Sequence, residues 1–438
     1  MQTYETYKNS SIDWLGEIPS HWEVKKVKFD NKIINGFAFK SDDIGDEGEL
    51  LIRIGDINNQ ELSEYKKINI QKYRSSVDLS KYEVKRNDIL IALTGATIGK
   101  TKSYQLNQLA FLNQRVGMVR VINGNQNFIS YIFNSEIVQT PIILECFGSA
   151  QENISINTIC NFEIPLPPIT EQEAIAAFLD EKCGKIDELV SVKEQQIALL
   201  KERRQVVIHE AVTKGIQPNV ELKHSGIDWI GEIPSHWEVG PLKYLTTKIV
   251  DGAHFTPTYV DEGIPFLRVT DISKSGIDRK IDWNSVKFIP IQEHKELIKR
   301  ANPEKGDILL SKNGTIGLTR VIDWNEEFSF FVSLCLIKPT KRLSPFYFEF
   351  FFNCPLVDRQ INDSSSRTSV TNLHLEKIKE LLIVLPPISE QEAIVAYLEE
   401  QTGKIDQAIA LKTEQIEKLK AYKQSLINEV VTGKVKVV

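Results

Sequence analysis

At 438 residues, with 42% apolar and 26% charged side chains, the chain can hold two or more cored domains. No run approaches the ~18 apolar residues of a membrane span, and Met1–Lys8 has no apolar signal core, so a cytoplasmic protein is expected. A formal net charge of −6 excludes a uniformly basic surface, so any nucleic-acid contact needs local patches or another subunit's field.

In chain order, the first predicted element is a turn-rich segment, Ile12-Asp13-Trp14-Leu15-Gly16-Glu17-Ile18-Pro19-Ser20-His21-Trp22-Glu23. It returns as Ile227-Asp228-Trp229-Ile230-Gly231-Glu232-Ile233-Pro234-Ser235-His236-Trp237-Glu238. The period is too long for a solenoid unit and marks a duplicated module. Next comes a mixed stretch, roughly 25–165, matched by 240–384. Strand-like runs at 50–54 and 88–93 correspond to 265–269 and 307–311. Short β-rich runs punctuated by Gly and Asn predict a compact α+β domain. The aromatic runs 128–134 and 347–353 read as a buried helix in preference to a stacking platform.

Each half closes on a long helix. Leu-Pro-Pro-Ile at 166–169 and 385–388 leads into predicted capping boxes, Thr170 with Glu173 and Ser389 with Glu392. Apolar residues then recur at three- and four-residue steps: Ile175, Leu179, Ile186, Leu189, Ile197, Leu200, Val207 and Ala211, then Ile394, Leu398, Ile405, Ala408, Ile416, Leu419, Leu426 and Val430. About 43 residues at ~1.5 Å each make a rod of roughly 65 Å. Gly184 and Gly403 lie inside these helices as candidate kinks or breaks. The seams predict antiparallel pairing of the two helices in a coiled coil, with the chain's end beside its own leading segment. The expected division is 1–165, first leading segment and domain; 166–215, first helix; 216–384, second segment and domain; 385–438, second helix.

Catalytic motifs are weak. Thr94-Gly95-Ala96-Thr97-Ile98-Gly99-Lys100-Thr101 resembles a phosphate-binding loop but has threonine for the first glycine, and its repeat has Leu318 for the lysine. A turn before a strand explains both copies. The Pro-Pro pairs lack the preceding Asn/Asp and following aromatic that would hold a target amino group for methylation. His21 and His236 read as structural or interface histidines. Five scattered cysteines (Cys146, Cys160, Cys183, Cys335, Cys354) argue for reduced thiols and against disulfides or a structural zinc. Local charge is positive in two places. Residues 66–86, including Lys72 and Arg74, hold seven basic against two acidic side chains, and residues 287–305 hold five against three.

The doubled leading segment, joined to the doubled Leu-Pro-Pro-Ile-Thr/Ser-Glu-Gln-Glu-Ala-Ile, resembles the specificity subunit of type I restriction-modification systems over nearly the whole chain. The resemblance implies a non-catalytic prokaryotic DNA-binding subunit whose two pseudo-symmetric target-recognition domains read a bipartite double-stranded site. Two long conserved helices would separate the domains and recruit two modification (methyltransferase) subunits, with restriction subunits joining them. This chain would bind no cofactor; S-adenosylmethionine, ATP and Mg would sit on the partners.

Within that frame, positions alike in both copies should carry fold, phosphate or partner contacts. Arg53 and Arg268 are therefore assigned structural or phosphate roles. Trp14, His21, Trp22, Glu171 and Gln172, with Trp229, His236, Trp237, Glu390 and Gln391, are partner-binding candidates. Positions that differ can read sequence. Three loops differ: 35–40 against 251–256, 94–97 against 312–315, and 149–153 against 367–372. Their DNA-contact candidates are Lys40, Thr94, Thr97, Gln151 and Asn153, and His254, Thr256, Lys312, Asn313, Thr315, Arg367 and Asn372. Side-chain chemistry suits this, since Lys/Arg reads guanine edges and Asn/Gln adenine. The alternatives are a coiled-coil adaptor that binds only proteins, and a nucleotide-hydrolysing enzyme using 94–101.

Overall fold

The structure, a computed structural model, describes residues 2–57, 65–73, 77–146, 153–273, 280–364 and 373–437. The candidates Arg74, Gln151, Arg367 and Asn372 lie outside the described residues. Two compact units emerge, one formed by 1–192 with 415–438 and the other by 193–414. The fold class is α+β, with a long helix between two sheet-rich domains.

The two domains share one topology. In the first unit a four-stranded antiparallel sheet runs Thr101–Ser103, Ile89–Ala92, Val116–Val121, Asn31–Asn35. In the second the order is Thr319–Val321, Ile308–Ser311, Leu334–Pro339, Thr246–Asp251. Uninterrupted apolar runs such as Ile89-Leu90-Ile91-Ala92 are buried along their whole length, so the sheet is covered on both faces. A second sheet in each unit contains one parallel pair, Glu49–Ile52 with Ala110–Leu112 and Ile264–Leu267 with Ser329–Phe330.

The start of the first divergent loop lies backbone to backbone against the residue that follows one strand of each pair, Phe37 on Asn113 and Ala253 on Phe331. A Cβ on Gly36 would lie 2.0 Å from the carbonyl oxygen of Asn113, and one on Gly252 2.2 Å from that of Phe330. Gly36→Ala and Gly252→Ala are each expected to destabilise their own unit by about 1–3 kcal/mol, as overpacking against rigid backbone does. Gly45→Ala, with nothing within 4 Å of its Cβ, should leave urea midpoints unchanged. Equal midpoints for all three would refute the reading.

The aromatic runs form buried helices, Gln126–Asn134 and Pro345–Phe352, as expected. Tyr347, Phe348, Phe350 and Phe351 join one core with Trp237 and with Ile394 and Leu398 of the second long helix. The 94–101 stretch is a 3-10 turn at Gly95–Thr97 followed by strand Thr101–Ser103. No helix follows it to point N–H groups at a phosphate.

The long helices are Ile169–Lys214 and Ile388–Val431, unbroken through Gly184 and Gly403. The predicted capping boxes start neither helix: in the second, the Pro387 carbonyl accepts from Glu390 and Gln391, so the helix begins ahead of Ser389, and the first is alike. The carbonyl of Pro168 accepts from Glu171 and Gln172, so the helix begins ahead of Thr170, which lies within its first turn. Within the second unit, Lys412 donates to Gln196 and Arg204 pairs with Asp406, an antiparallel register. In the first unit Lys423 pairs with Asp187. One seam residue is corrected: Leu189 is 51% exposed, and Val190 is buried in its place, four residues after Ile186. The chain's end does lie beside its start. Lys436 bridges Gln2, and Tyr7 donates to the carbonyl of Gly433.

Candidate nucleic-acid interface

Antiparallel pairing decides which loops can meet. Asn31–Asn35 and Ile89–Ala92 both run antiparallel to Val116–Val121, so both finish at the end where that strand starts. Register puts Asn35 opposite Gly117 and Ala92 opposite Val116. The loops that follow, 35–40 and 94–97, therefore leave from one end of the sheet. Asn153, the described residue of the third, joins them, because the N–H of Ile154 donates to the Leu93 carbonyl and Thr94 bridges Asn153. In the second unit Asp251 and Ser311 face Cys335 and Leu334, and the N–H of Leu373 donates to the Lys312 carbonyl. Two divergent loops thus share one sheet end in each unit, and the described residues at the edge of the third, Asn153 with Ile154 and Leu373, are bonded at that same end.

The candidates on these loops differ in availability. Lys40, Asn153, His254, Thr256 and Thr315 are exposed, while Thr94, Thr97 and Asn313 are half-buried. Lys312 is only 5% exposed, and its Nζ lies 2.5 Å from Asp251 Oδ1. That contact ties loop 312–315 to loop 251–256, within which Asp251 also stands 3.6 Å from His254 Nε2. The first copy has Asn35 and buried Leu93 at the corresponding places, so the pair is specific to the second domain. Lys72 is exposed and paired with Asp43.

Arg53 and Arg268 organise the same turn twice. Their N–H groups donate to Asp56 and Asp271 at 2.7 and 2.8 Å, and the Arg268 guanidinium grips Asp271 through both Nε and Nη2. Burial raises the Asp56 carboxyl above its usual range, although the Arg53 backbone N–H pulls the other way. Missing from the sequence reading were Gln114 and Arg115, exposed just before Val116 at the same sheet end. Their counterparts are Val332 and Ser333, so divergence between the copies was the signal that marked them.

The residues expected at a partner surface are turned mostly inward. Trp22 and Trp237 are fully buried. Trp22 Nε1 donates to Glu171 at 3.2 Å, and Trp237 Nε1 to Glu390 at 2.9 Å. His21 Nε2 lies 2.8 Å from Glu171, His236 Nε2 2.7 Å from Glu390, and Tyr4 donates to Glu171. Burial pushes the Tyr4 phenol well above its usual pKa, and the hydrogen bond to Glu171 adds to this. The next residue locks the domain to the helix. Gln172 accepts from the Asn125 N–H and donates to the Pro167 carbonyl, both at 2.9 Å. Gln391 accepts from the Ser344 N–H and donates to the Arg342 and Pro386 carbonyls, all at 2.8 Å. Glu-Gln is thus a double latch: glutamate holds the leading segment and glutamine the recognition domain. Trp14, 45% exposed, and the outer faces of His21 and His236 remain open.

Comparison with known proteins places this arrangement. The family model described as type I restriction modification DNA specificity domain matches twice, over residues 19–200 and 234–421. A putative type I restriction enzyme MjaX specificity subunit of Methanocaldococcus jannaschii is 27% identical, covering 99% of this chain and 97% of that protein. The type I restriction enzyme EcoBI specificity subunit of Escherichia coli is also 27% identical, over 89% of this chain and 81% of its own. A solved structure from work on complex assembly and conformational transition of the type I R-M system shares the fold. Its TM-score is 0.68 at 16% identity, covering 95% of this chain and 99% of that one.

Proposed function

The chain belongs to the type I restriction modification DNA specificity family, and from that premise we propose that it reads a bipartite duplex target, one half per recognition domain. The observation that carries this is the convergence of two divergent loops, 35–40 with 94–97 and 251–256 with 312–315, on the same sheet end in both units, over a scaffold kept alike. Unequal loops on equal scaffolds suit two unequal half-sites. Lys40, Asn153, His254, Thr256 and Thr315, with Gln114 and Arg115, are the exposed side chains available to base edges or phosphates. Lys312, held by Asp251, shapes its loop from within.

The chemistry belongs to partners in this reading. Two modification subunits would supply S-adenosylmethionine and methyl transfer, and restriction subunits ATP- and Mg-dependent cleavage. Exposed apolar residues on the first long helix support docking there: Leu189 and Val192 in the first unit, Leu199 and Val206 in the second. Among the described residues no helix is long and apolar enough to cross a membrane.

Methylome sequencing of cells expressing the chain with its modification subunit tests the proposal. Methylated adenines in a two-part motif with an unspecified gap are expected. A single uninterrupted motif, or none, would refute it.

A further inference from the structure

The duplication also acts as a filter for surface residues. A side chain alike in both copies cannot distinguish two half-sites, and one far out in water does not hold the fold. The described aromatic position more than half exposed in both copies is Phe29, 64% exposed, matched by Tyr244, 70% exposed. Trp14 fails the filter, since its counterpart Trp229 is half-buried. Phe255 fails too, because its counterpart Phe39 is buried.

Each ring is held by the same device. It sits last on a 3-10 turn, Val27–Phe29 or Leu242–Tyr244, whose first residue is fully buried. The N–H of Val27 donates to Phe162 and that of Leu242 to Leu381, at 2.9 and 2.8 Å. The turn's carbonyl accepts from Asn31 in one copy and from Thr246 in the other, at 2.8 and 3.1 Å. Beside each ring stands a lysine, Lys28 Nζ 5.8 Å from the Phe29 centroid and Lys243 Nζ 5.2 Å from that of Tyr244. The result is an exposed aromatic on a rigid mount with a cation at its edge, the composition of an interface anchor.

Charge argues against a phosphate contact. Lys28 already donates to Asn161 at 2.9 Å and Lys243 to Glu380 at 2.7 Å. The neighbouring Lys25 and Lys26 become Gly240 and Pro241 in the second copy, so what is kept is the ring and one lysine, with no shared basic field.

We propose that Phe29 and Tyr244, each beside its lysine, are two equivalent docking points, each anchoring one copy of the methyltransferase subunit through an apolar pocket that takes the ring. This rests on the proposed function, and two alike sites on one chain require two copies of one partner.

The test uses the full chain mixed with its methyltransferase subunit, with stoichiometry read by native mass spectrometry and sedimentation. Phe29→Ala and Tyr244→Ala should each reduce the bound copies from two to one at concentrations that saturate the wild type. The vacated site should weaken on the order of 10- to 30-fold. The double variant should lose both copies, and Phe29→Tyr and Tyr244→Phe should retain them. Unchanged melting curves would show that the loss is not unfolding. Two copies bound by every variant with wild-type affinity would overturn the proposal. So would intact stoichiometry with weaker, less salt-dependent DNA binding, which would assign the pair to phosphate. A wild-type chain that binds no methyltransferase subunit would remove the underlying reading, and this proposal with it.

Discussion

Exchanging residues 240–384 for the matching stretch of another family member is expected to change one half of the methylated motif and leave the other untouched. The cut points make this exchange physically reasonable. Strand Glu238–Pro241 pairs antiparallel with Leu382–Leu385, Gly240 opposite Ile383 and Val239 opposite Val384. Both ends of the exchanged segment therefore leave from one short ladder, and an insert whose termini lie together can be replaced without moving its base. The first domain is mounted alike, Glu23–Lys26 on Glu163–Leu166. Each mismatched base pair costs a specific complex about 1–3 kcal/mol, so several altered contacts should abolish the old half-site. Methylome sequencing reads the result. A motif changed in both halves, or in neither, would refute one-domain-one-half recognition.

The second large effect is on stability. Trp22→Ala should destabilise the first unit by about 3–5 kcal/mol, the range for emptying a fully buried aromatic site. Trp22 is 0% exposed, and Gly433 can approach it because a Cβ there would stand 3.2 Å from the ring and 2.3 Å from Pro19. Gly433 also takes φ of 76°, a left-handed turn that ends the second long helix. The ring thus closes leading segment, first helix and chain terminus on one point. Trp22→Phe, which keeps most of the volume but leaves Glu171 without the indole donor, should lose less. Urea unfolding followed by circular dichroism separates the variants, and because the chain has two units its transitions must be fitted separately. A loss below about 1 kcal/mol for Trp22→Ala would mean that the site collapses freely and is no keystone.

Much of the candidate site was legible before any coordinates. The loops 35–40, 94–97 and 149–153 stood out by differing from their repeats, and sheet register then brought 35–40, 94–97 and the described Asn153 together. Lys312 shows the limit of that reasoning. Residue type suggested a guanine reader, but its partner Asp251 is 61 positions away in the chain, and only the paired strands bring the two within 2.5 Å. Trp22 and Glu171 were read as surface contacts because they are polar or aromatic and repeated. Repetition marks shared need, and here the need is an internal latch spanning 149 residues.

Sequence by itself determined the duplication, the α+β domains, the long helices and the family, because these follow from local periodicity and from comparing two copies of one chain. Tertiary structure alone decided which repeated polar groups face inward, where the described divergent loops converge and which aromatics stay in water. Those outcomes depend on burial and on hydrogen bonds between residues far apart in the chain, and neither is a property of any local stretch.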